Sequence, residues 1–262
     1  MRNGRPLALV TGASNGIGYE LAALFARRGF DLVATGRSAG IDAAAEEFRR
    51  LGAGVEAVRA DLSDRAEVEK VWRAVAATDR PLEAAAINAG VSIGGAFLDN
   101  DLDQELNLIE LNVSSVVQLA KRVATAMAGQ RRGRILITSS VSATLPTPYE
   151  TVYGPSRAFT RMFALGLREE LRGTGVSVTT MLPGATNSDF HARAGMNNTA
   201  FGPNAGKNDK AEVARQGFDA LLAGKAEIVA GDGATKREAL LNRFLPEPLK
   251  AARHARKAKP RD

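Results

Sequence analysis

Short apolar runs alternate with amphipathic stretches along nearly the whole chain. Apolar runs at 7–10, 31–35, 55–60, 84–87, 134–138 and 176–182 are typical of buried strands, and 227–230 indicates a short edge strand. Between them apolar residues recur at helical spacing, as at Val68, Val71 and Val75. Strands that alternate with helices predict a single α/β domain with a doubly wound, mostly parallel sheet of about seven strands, flanked by helices.

The same pattern places the helices. They are expected at about 16–28, 41–51, 65–75, 102–127 (as one long helix), 153–171 and 210–223. Asp64 followed by Glu67 has the form of a capping box, and so does Asp209 followed by Glu212. Each pair therefore predicts a helix start.

One long stretch, 184–208, has no regular pattern and is rich in glycine and asparagine. A loop of that length in a compact domain is usually a lid or a disordered segment, and we favour a substrate lid. We therefore expect one main domain at 1–231, with a helical, basic extension of that domain at 232–262. The apolar cluster Leu240, Leu241, Phe244 and Leu245 could pack on the domain or on a partner subunit.

Composition narrows the function classes. The 262 residues include no cysteine and two histidines, so a disulfide framework and a thiolate metal site are excluded, and we expect no metal. No apolar stretch approaches the roughly 20 residues of a membrane span, and the amino terminus does not have the pattern of a signal peptide. The expectation is a cytoplasmic protein without a membrane span.

The net charge of +6 raises the question of nucleic-acid binding. Most of that charge lies at the end of the chain, in Lys250, Arg253, Arg256, Lys257, Lys259 and Arg261. A basic tail can contact anionic surfaces, but a solvated, partly disordered end is the simpler interpretation. We expect no specific nucleic-acid partner.

Glycines and polar residues follow one predicted strand after another. They are Thr11 to Gly18 after the first strand, Gly36-Arg37-Ser38 after the second, Asp61-Leu62 after the third, Asn88-Ala89-Gly90 after the fourth, Ser139-Ser140 after the fifth and Pro183-Gly184 after the sixth. The carboxyl ends of parallel strands meet at one edge of a sheet, where α/β proteins bind their ligands. This convergence predicts a binding site.

The first turn has the composition of a Rossmann-type dinucleotide site. Gly12 would allow a tight turn, and Gly16 and Gly18 would allow the backbone to approach a pyrophosphate at the helix amino terminus. The end of the second strand has no acidic residue to bind the ribose hydroxyls of NAD(H). Arg37 could instead pair with a 2′-phosphate, with hydrogen bonds from Ser38 or Asn15, although it could also be a plain surface arginine. NADP(H) is therefore the expected cofactor, with NAD(H) possible.

These motifs occur together in one enzyme family. They are TGASNGIG at Thr11 to Gly18, Asn88-Ala89-Gly90, Asn112, Ser140, Tyr153 thirteen residues later, and Pro183-Gly184. On these residues the chain resembles the short-chain dehydrogenase/reductase family, over about 6–230. The resemblance implies an NAD(P)-dependent enzyme that transfers hydride between its cofactor and a carbonyl or alcohol substrate.

The resemblance also implies a role for each matched residue. Tyr153 would be the catalytic acid/base, Ser140 would polarise the substrate oxygen, and Asn112 would hold a water relay. With Asn15, Arg37 and Ser38 from the preceding argument, the expected cofactor-binding residues are Gly12, Ser14, Asn15, Gly16, Ile17, Gly18, Arg37, Ser38, Asp61, Leu62, Asn88, Ala89, Gly90, Tyr153, Arg157, Pro183, Gly184, Thr186 and Ser188.

Arg157 departs from the family's Tyr-x-x-x-Lys motif. Residues four apart share a helix face, so Arg157 should neighbour Tyr153. The resemblance implies that Arg157, in the position of the family's lysine, is the fourth catalytic residue. Its charge can lower a tyrosine pKa, but arginine does not release a proton near neutral pH. An active enzyme with arginine in the lysine role is the favoured hypothesis. The alternative is a cofactor-binding protein with little or no turnover, a sensor or interaction module.

The predicted substrate pocket is mainly apolar or small. Its expected walls are 91–97, 141–149 and the lid around Phe190, Met196 and Phe201, which favours a moderately hydrophobic carbonyl or alcohol. His191 could contact substrate, although a plain loop residue is the simpler interpretation. The resemblance implies a homodimer or homotetramer formed through the helices predicted at 102–127 and 153–171.

Overall fold

The computed structural model describes residues 4–202 and 206–260. Seven strands form one sheet in the order β3-β2-β1-β4-β5-β6-β7, and every neighbouring pair is parallel. The strands are β1 (Leu7–Thr11), β2 (Asp31–Gly36), β3 (Val55–Arg59), β4 (Leu82–Ile87), β5 (Gly133–Thr138), β6 (Val176–Pro183) and β7 (Glu227–Ala230). The predicted fold class is confirmed, and the predicted edge strand is the last strand of the sheet.

Ten α-helices connect and flank the strands within the described residues. They are α1 (Gly16–Arg27), α2 (Gly40–Arg50), α3 (Arg65–Ala76), α4 (Leu102–Ile109), α5 (Ser115–Gly129), α6 (Tyr153–Glu170), α7 (Phe190–Arg193), α8 (Lys210–Leu222), α9 (Gly233–Leu241) and α10 (Glu247–Ala258). Asp64 and Asp209 cap α3 and α8 with side chains that accept backbone N–H groups of Ala66 and Glu212. The two predicted helix starts are therefore confirmed.

Two apolar layers enclose the sheet. Alternate residues of β1 point to opposite faces: Ala8 and Val10 contact the layer built by α1, α2 and α8, and Leu7 and Leu9 contact the layer of α3, α5 and α6. All five residues of β1 are buried, as a strand covered on both faces must be. The rigid sheet therefore fixes the strand ends that carry the predicted site.

The helix predicted at 102–127 is not continuous. A π-helical turn, Glu110–Ser114, separates α4 from α5, and Asn112 lies in its centre, fully buried. Periodicity did not reveal this turn because apolar residues continue at near-helical spacing on both sides of it. Wider turns of this kind are common at functional sites because they redirect a side chain.

The basic carboxyl-terminal segment differs from its prediction. Instead of a solvated end, α10 packs on the domain with Lys250, His254 and Ala258 buried at helical spacing. The hydrocarbon stem of a lysine and a histidine that finds a carboxylate can both be buried, so basic composition did not imply a solvated segment. Arg261 lies outside the described residues.

The apolar cluster of the extension is mostly exposed. Leu240, Leu241 and Phe244 are 54%, 50% and 79% exposed, so the domain covers them only in part. Within the described residues no helix is long and apolar enough to cross a membrane.

The predicted lid, 184–208, contains the short helix α7, and residues 203–205 of this segment lie outside the described part of the chain. The described residues of this segment are held to neighbouring elements by backbone hydrogen bonds. Gly94 donates to the carbonyl of Ala194 at 2.8 Å, and Ala200 donates to that of Lys257 at 2.9 Å. This segment therefore joins the loop after β4 to the carboxyl-terminal helix.

Candidate functional site

A cavity of about 1100 Å³ opens at the carboxyl edge of the sheet, around the point where the chain order reverses between β1 and β4. The wall includes all of the predicted cofactor-binding residues, together with Ser140. Asn112 alone among the predicted catalytic residues lies behind the wall, in contact with Arg157. Tertiary structure therefore brings the strand-end residues into one cavity, where α/β folds place their ligands.

The glycine-rich turn begins this cavity. Gly12 and Gly16 have φ angles of +69° and +60°, which favour glycine, and a side chain at Gly18 would overlap the carbonyl of Gly12. The hydroxyl of Ser14 is buried without a hydrogen-bond partner within the described structure, although it lines the cavity. Free helix N–H groups, an open backbone cradle and an unpartnered hydroxyl fit the pyrophosphate side of a dinucleotide.

Arg37 stands at the end of β2 with its side chain 67% exposed. Its nearest acidic partner is Asp61, at 3.9 Å between Nη1 and Oδ2, which is the outer limit of an ion pair. Ser38 lines the cavity beside it. The guanidinium is therefore free to bind an anion that enters this end of the cavity.

Asn88 holds the centre of the sheet edge together. Its side-chain amide donates to the carbonyl of Thr11 at 3.2 Å, and its side-chain oxygen accepts from the hydroxyl of Thr138 at 3.1 Å. These bonds join the ends of β1, β4 and β5. The loop that follows, including Ala89 and Gly90, is thereby fixed beside the cavity.

Tyr153 begins α6 and is 7% exposed. Burial raises the pKa of its phenol above the ordinary value; the charge of Arg157 opposes the rise, and the charge of Glu150 adds to it. Hydrogen bonding to Ser140 also favours the phenolate. The neighbouring cation therefore limits the rise in pKa but does not reverse it.

Arg157 is buried beneath Tyr153, with its guanidinium carbon 5.2 Å from the ring centroid. It donates to the carbonyl of Thr138 and to Oδ1 of Asn112, both at 3.3 Å. A side chain at Gly90 would overlap the guanidinium, so this glycine leaves room for it. The helical spacing therefore predicted the neighbour of Tyr153 correctly.

The π-helical turn aims Asn112 into this cluster. Its amide donates to the carbonyl of Val91 at 2.9 Å and to the hydroxyl of Ser156 at 3.1 Å, and its oxygen accepts from Val91 N at 3.0 Å. With Arg157 as a second donor to that oxygen, Asn112 is bound entirely to protein groups. Asn112 thus joins α6 to the loop after β4.

Sequence reasoning missed a buried acidic residue near Tyr153. Glu150 is 4% exposed. Its Oε1 accepts a hydrogen bond from the hydroxyl of Ser92 at 2.8 Å, and its Oε2 lies 3.1 Å from Nε2 of His254. The one local indication was that Glu150 lies three residues before Tyr153 in the sequence. The partners Ser92 and His254 are 58 and 104 residues away, and no local pattern connects them.

Aromatic side chains cover the substrate end of the cavity. Phe190 lies 5.7 Å from Tyr153 between ring centroids, and His191 stacks on Phe201 at 5.5 Å. Burial lowers the pKa of His191, so its imidazole is neutral near neutral pH. His191 lines the cavity, contrary to its interpretation as a plain loop residue. Tyr149, at the end of the predicted wall segment 141–149, has a φ of +66° and packs against Ala194 and Met196 of the lid.

Comparison with known proteins identifies the family. The model of the short chain dehydrogenase family matches residues 6–198. The chain belongs to the short-chain dehydrogenase/reductase family. It is accordingly an NAD(P)-dependent oxidoreductase of the type that acts on alcohol and carbonyl groups.

Individual members of the family are similar to this protein over most of its length. An uncharacterized short-chain type dehydrogenase/reductase of Sinorhizobium fredii is 34% identical over 192 residues, 72% of this chain and 73% of that protein. Serine 3-dehydrogenase of Agrobacterium fabrum is 32% identical over 184 residues, 70% of this chain and 72% of that protein. A short-chain dehydrogenase from Sphingobium yanoikuyae, solved in complex with NADPH, superimposes with a TM-score of 0.81 at 30% identity, covering 91% and 93% of the two chains.

Proposed function

We propose that this short-chain dehydrogenase/reductase uses NADP(H) to interconvert a carbonyl compound and its alcohol, with Tyr153 as the proton donor and acceptor. The observation that carries the proposal is that Tyr153, Ser140 and Arg157 line the same cavity as the glycine-rich turn, with Ser140 and Arg157 both acting on the phenol of Tyr153. A carbonyl that takes up hydride develops negative charge on oxygen and needs a proton donor within hydrogen-bond reach. The phenol of Tyr153 and the hydroxyl of Ser140 can both donate to that oxygen.

The cavity fits the cofactor at both ends. The glycine-rich turn and Ser14 would hold the pyrophosphate, and Pro183, Gly184, Thr186 and Ser188 would surround the nicotinamide end. When bound, the nicotinamide supplies or accepts the hydride. Arg37 supports a preference for the 2′-phosphate, since its guanidinium has only a distant acidic partner.

Arg157 takes the role of the family's lysine in this proposal. Its permanent charge opposes the effect of burial on Tyr153, and its fork can donate to ribose hydroxyls. It cannot pass on a proton, because an arginine guanidinium is not deprotonated in proteins. Protons that reach Tyr153 must then come from solvent or from groups on the substrate side.

Titration of the protein with NADPH and NADH, followed by nicotinamide fluorescence, tests cofactor binding. Ketones, aldehydes and quinones added to the complex then test turnover. We expect tighter binding of NADPH and substrate-dependent oxidation that falls by about 10²–10⁴ in Tyr153→Phe.

Binding without turnover in both the wild-type protein and Arg157→Lys would instead indicate a cofactor-binding module. If neither nucleotide bound, the assignment of the cavity would be wrong.

A further inference from the structure

The cavity extends past Tyr153 to α10, where its wall becomes basic. Lys250, Arg253, His254 and Lys257 all line it. Their spacing places them on one face of the helix. The helix α10 lies outside the part of the chain that the family model matches, 6–198.

Carboxylates contact three of these four basic residues. The pairs are Lys250 with Glu247 at 2.6 Å, His254 with Glu150 at 3.1 Å and Lys257 with Glu238 at 2.5 Å. Arg253 has neither an ion pair nor a side-chain hydrogen bond to any residue that the structure describes, and it is only partly exposed. Its guanidinium is therefore the uncompensated charge of this wall.

Arg253 stands at the substrate end of the cavity. It is adjacent to His254, whose imidazole contacts Glu150, one helical turn before Tyr153. Arg37, by contrast, follows β2 on the other half of the sheet, where the cofactor's adenosine end is expected. A ligand held by Tyr153 would therefore have its far end, and not its reacting carbon, near Arg253.

Aromatic side chains cover the cavity beside His254, the residue that follows Arg253 on α10. Phe201 packs between His191 and His254, with ring centroids 5.5 and 5.8 Å away, and the backbone of Ala200 is bound to Lys257. Aromatic cover excludes water, and a charge-assisted hydrogen bond gains strength where water is excluded. One uncompensated positive charge matches one carboxylate better than a doubly charged phosphate.

We infer that Arg253 binds a carboxylate at the end of the substrate remote from the reacting carbon, so that the substrates are oxo acids and the corresponding hydroxy acids. This inference rests on the proposed function. It replaces the mainly apolar pocket expected from the sequence with one whose far wall selects for charge. Its specificity determinant is supplied by the carboxyl-terminal helix.

The test compares oxo acids of increasing length, from acetoacetate through levulinate to longer homologues, with their methyl esters and NADPH. We expect kcat/KM to favour at least one acid over its ester by about tenfold or more, mainly through KM. Arg253→Gln should remove this preference, Arg253→Lys should retain part of it, and turnover of the esters should persist. Arg256→Gln, on the exposed side of the same helix, is the matched control and should leave the preference intact.

The second readout does not need turnover. Acid and ester are titrated into the NADPH complex, and nicotinamide fluorescence reports binding. Acid binding that is weakened about tenfold in Arg253→Gln supports the inference even if the proposed function fails. Equal behaviour of acid and ester in the wild-type protein, an unchanged preference in Arg253→Gln, or weaker NADPH binding in that variant would overturn it, the last because Arg253 would then serve the cofactor.

Discussion

At the scale of single residues, the site depends on opposing effects on one phenol. Burial and the negative charge of Glu150 raise the pKa of Tyr153, whereas Arg157 lowers it. Arg157 is itself buried, and its hydrogen bonds to Thr138 and Asn112 satisfy only part of its donors, since Nε has no partner within the described residues. A buried cation persists where neighbouring carbonyl groups and a nearby π face stabilise it.

Arg157 should control the pH dependence of the reaction. Alcohol oxidation requires the phenolate of Tyr153, and carbonyl reduction requires the phenol. Since Arg157 lowers the phenol pKa, Arg157→Gln should raise it further. The alkaline rise of kcat/KM for oxidation should then move to higher pH. The kcat/KM for reduction should fall less than that for oxidation.

Arg157→Lys is the matched control, because it retains the positive charge. It should keep the pH profile near that of the wild-type protein. A profile unchanged in Arg157→Gln would show that the cation does not act on Tyr153.

Arg37 should set the preference between the two nicotinamide cofactors. Replacing it with alanine removes the cation that can pair with a 2′-phosphate, and we expect NADPH affinity to fall by roughly tenfold to a hundredfold. NADH affinity should change little, which fluorescence titration can measure. Arg50→Ala, an exposed arginine of α2 paired with Glu47, controls for loss of surface charge. An equal effect on both cofactors would contradict the proposed role.

At the scale of elements, one departure from regular structure and the start of one regular helix build the site. The π-helical turn between α4 and α5 directs Asn112 inward, and the early residues of α6 place Tyr153 and Arg157 on one face. Docking of α10 depends on a contact far along the chain, between His254 and Glu150. Because few buried polar groups hold α10, the loss of one of them should strongly destabilise its packing on the domain.

His254→Ala should destabilise the packing of α10. The variant leaves the buried Oε2 of Glu150 without its partner, which costs about 1–3 kcal/mol. Urea denaturation should show a lower free energy of unfolding, and hydrogen exchange should show faster opening of α10. Arg256→Ala, exposed on the same helix, should change stability by no more than about 0.5 kcal/mol. Similar effects of the two variants would mean that the His254 contact does not hold the helix.

At the scale of the whole molecule, α4 and α6 are among the helices that leave large apolar side chains exposed. Leu102 and Leu106 of α4 are 65% and 50% exposed, and Phe159 and Met162 of α6 are 45% and 64% exposed. These are the helices through which the family resemblance predicts assembly. Exposed apolar groups concentrated on particular elements are typical of an interaction surface.

A homodimer or homotetramer built on α4 and α6 should be sensitive to charge at that surface. We expect light scattering after size-exclusion chromatography to give a multiple of the 27.7 kDa chain mass. Leu106→Glu combined with Met162→Glu should shift it toward the monomer, because burying charges in an apolar interface is costly. Glu47→Lys, on α2 against the other face of the sheet, should have no effect. A monomeric wild-type protein would refute the prediction.

The periodic pattern was sufficient for the architecture because it reports burial along single elements. Each apolar run forms a strand, and the predicted boundaries agree with the structure to within about two residues. The predictions were wrong where a single residue or a contact between distant residues determines the local structure. The turn around Asn112 breaks a helix that periodicity treated as continuous, and α10 packs on the domain although its composition is that of a solvated tail.

The sequence by itself determined the sheet and its helices, the glycine-rich turn, the residues at the strand ends, and the helical neighbour relation of Tyr153 and Arg157, because local spacing controls all of these. Only the tertiary structure decided that Glu150 meets His254, that Arg157 contacts Asn112, and that the carboxyl-terminal helix supplies a wall of the cavity. Those contacts join residues far apart in the chain. Their formation depends on how the packed elements close on one another, which no local pattern records.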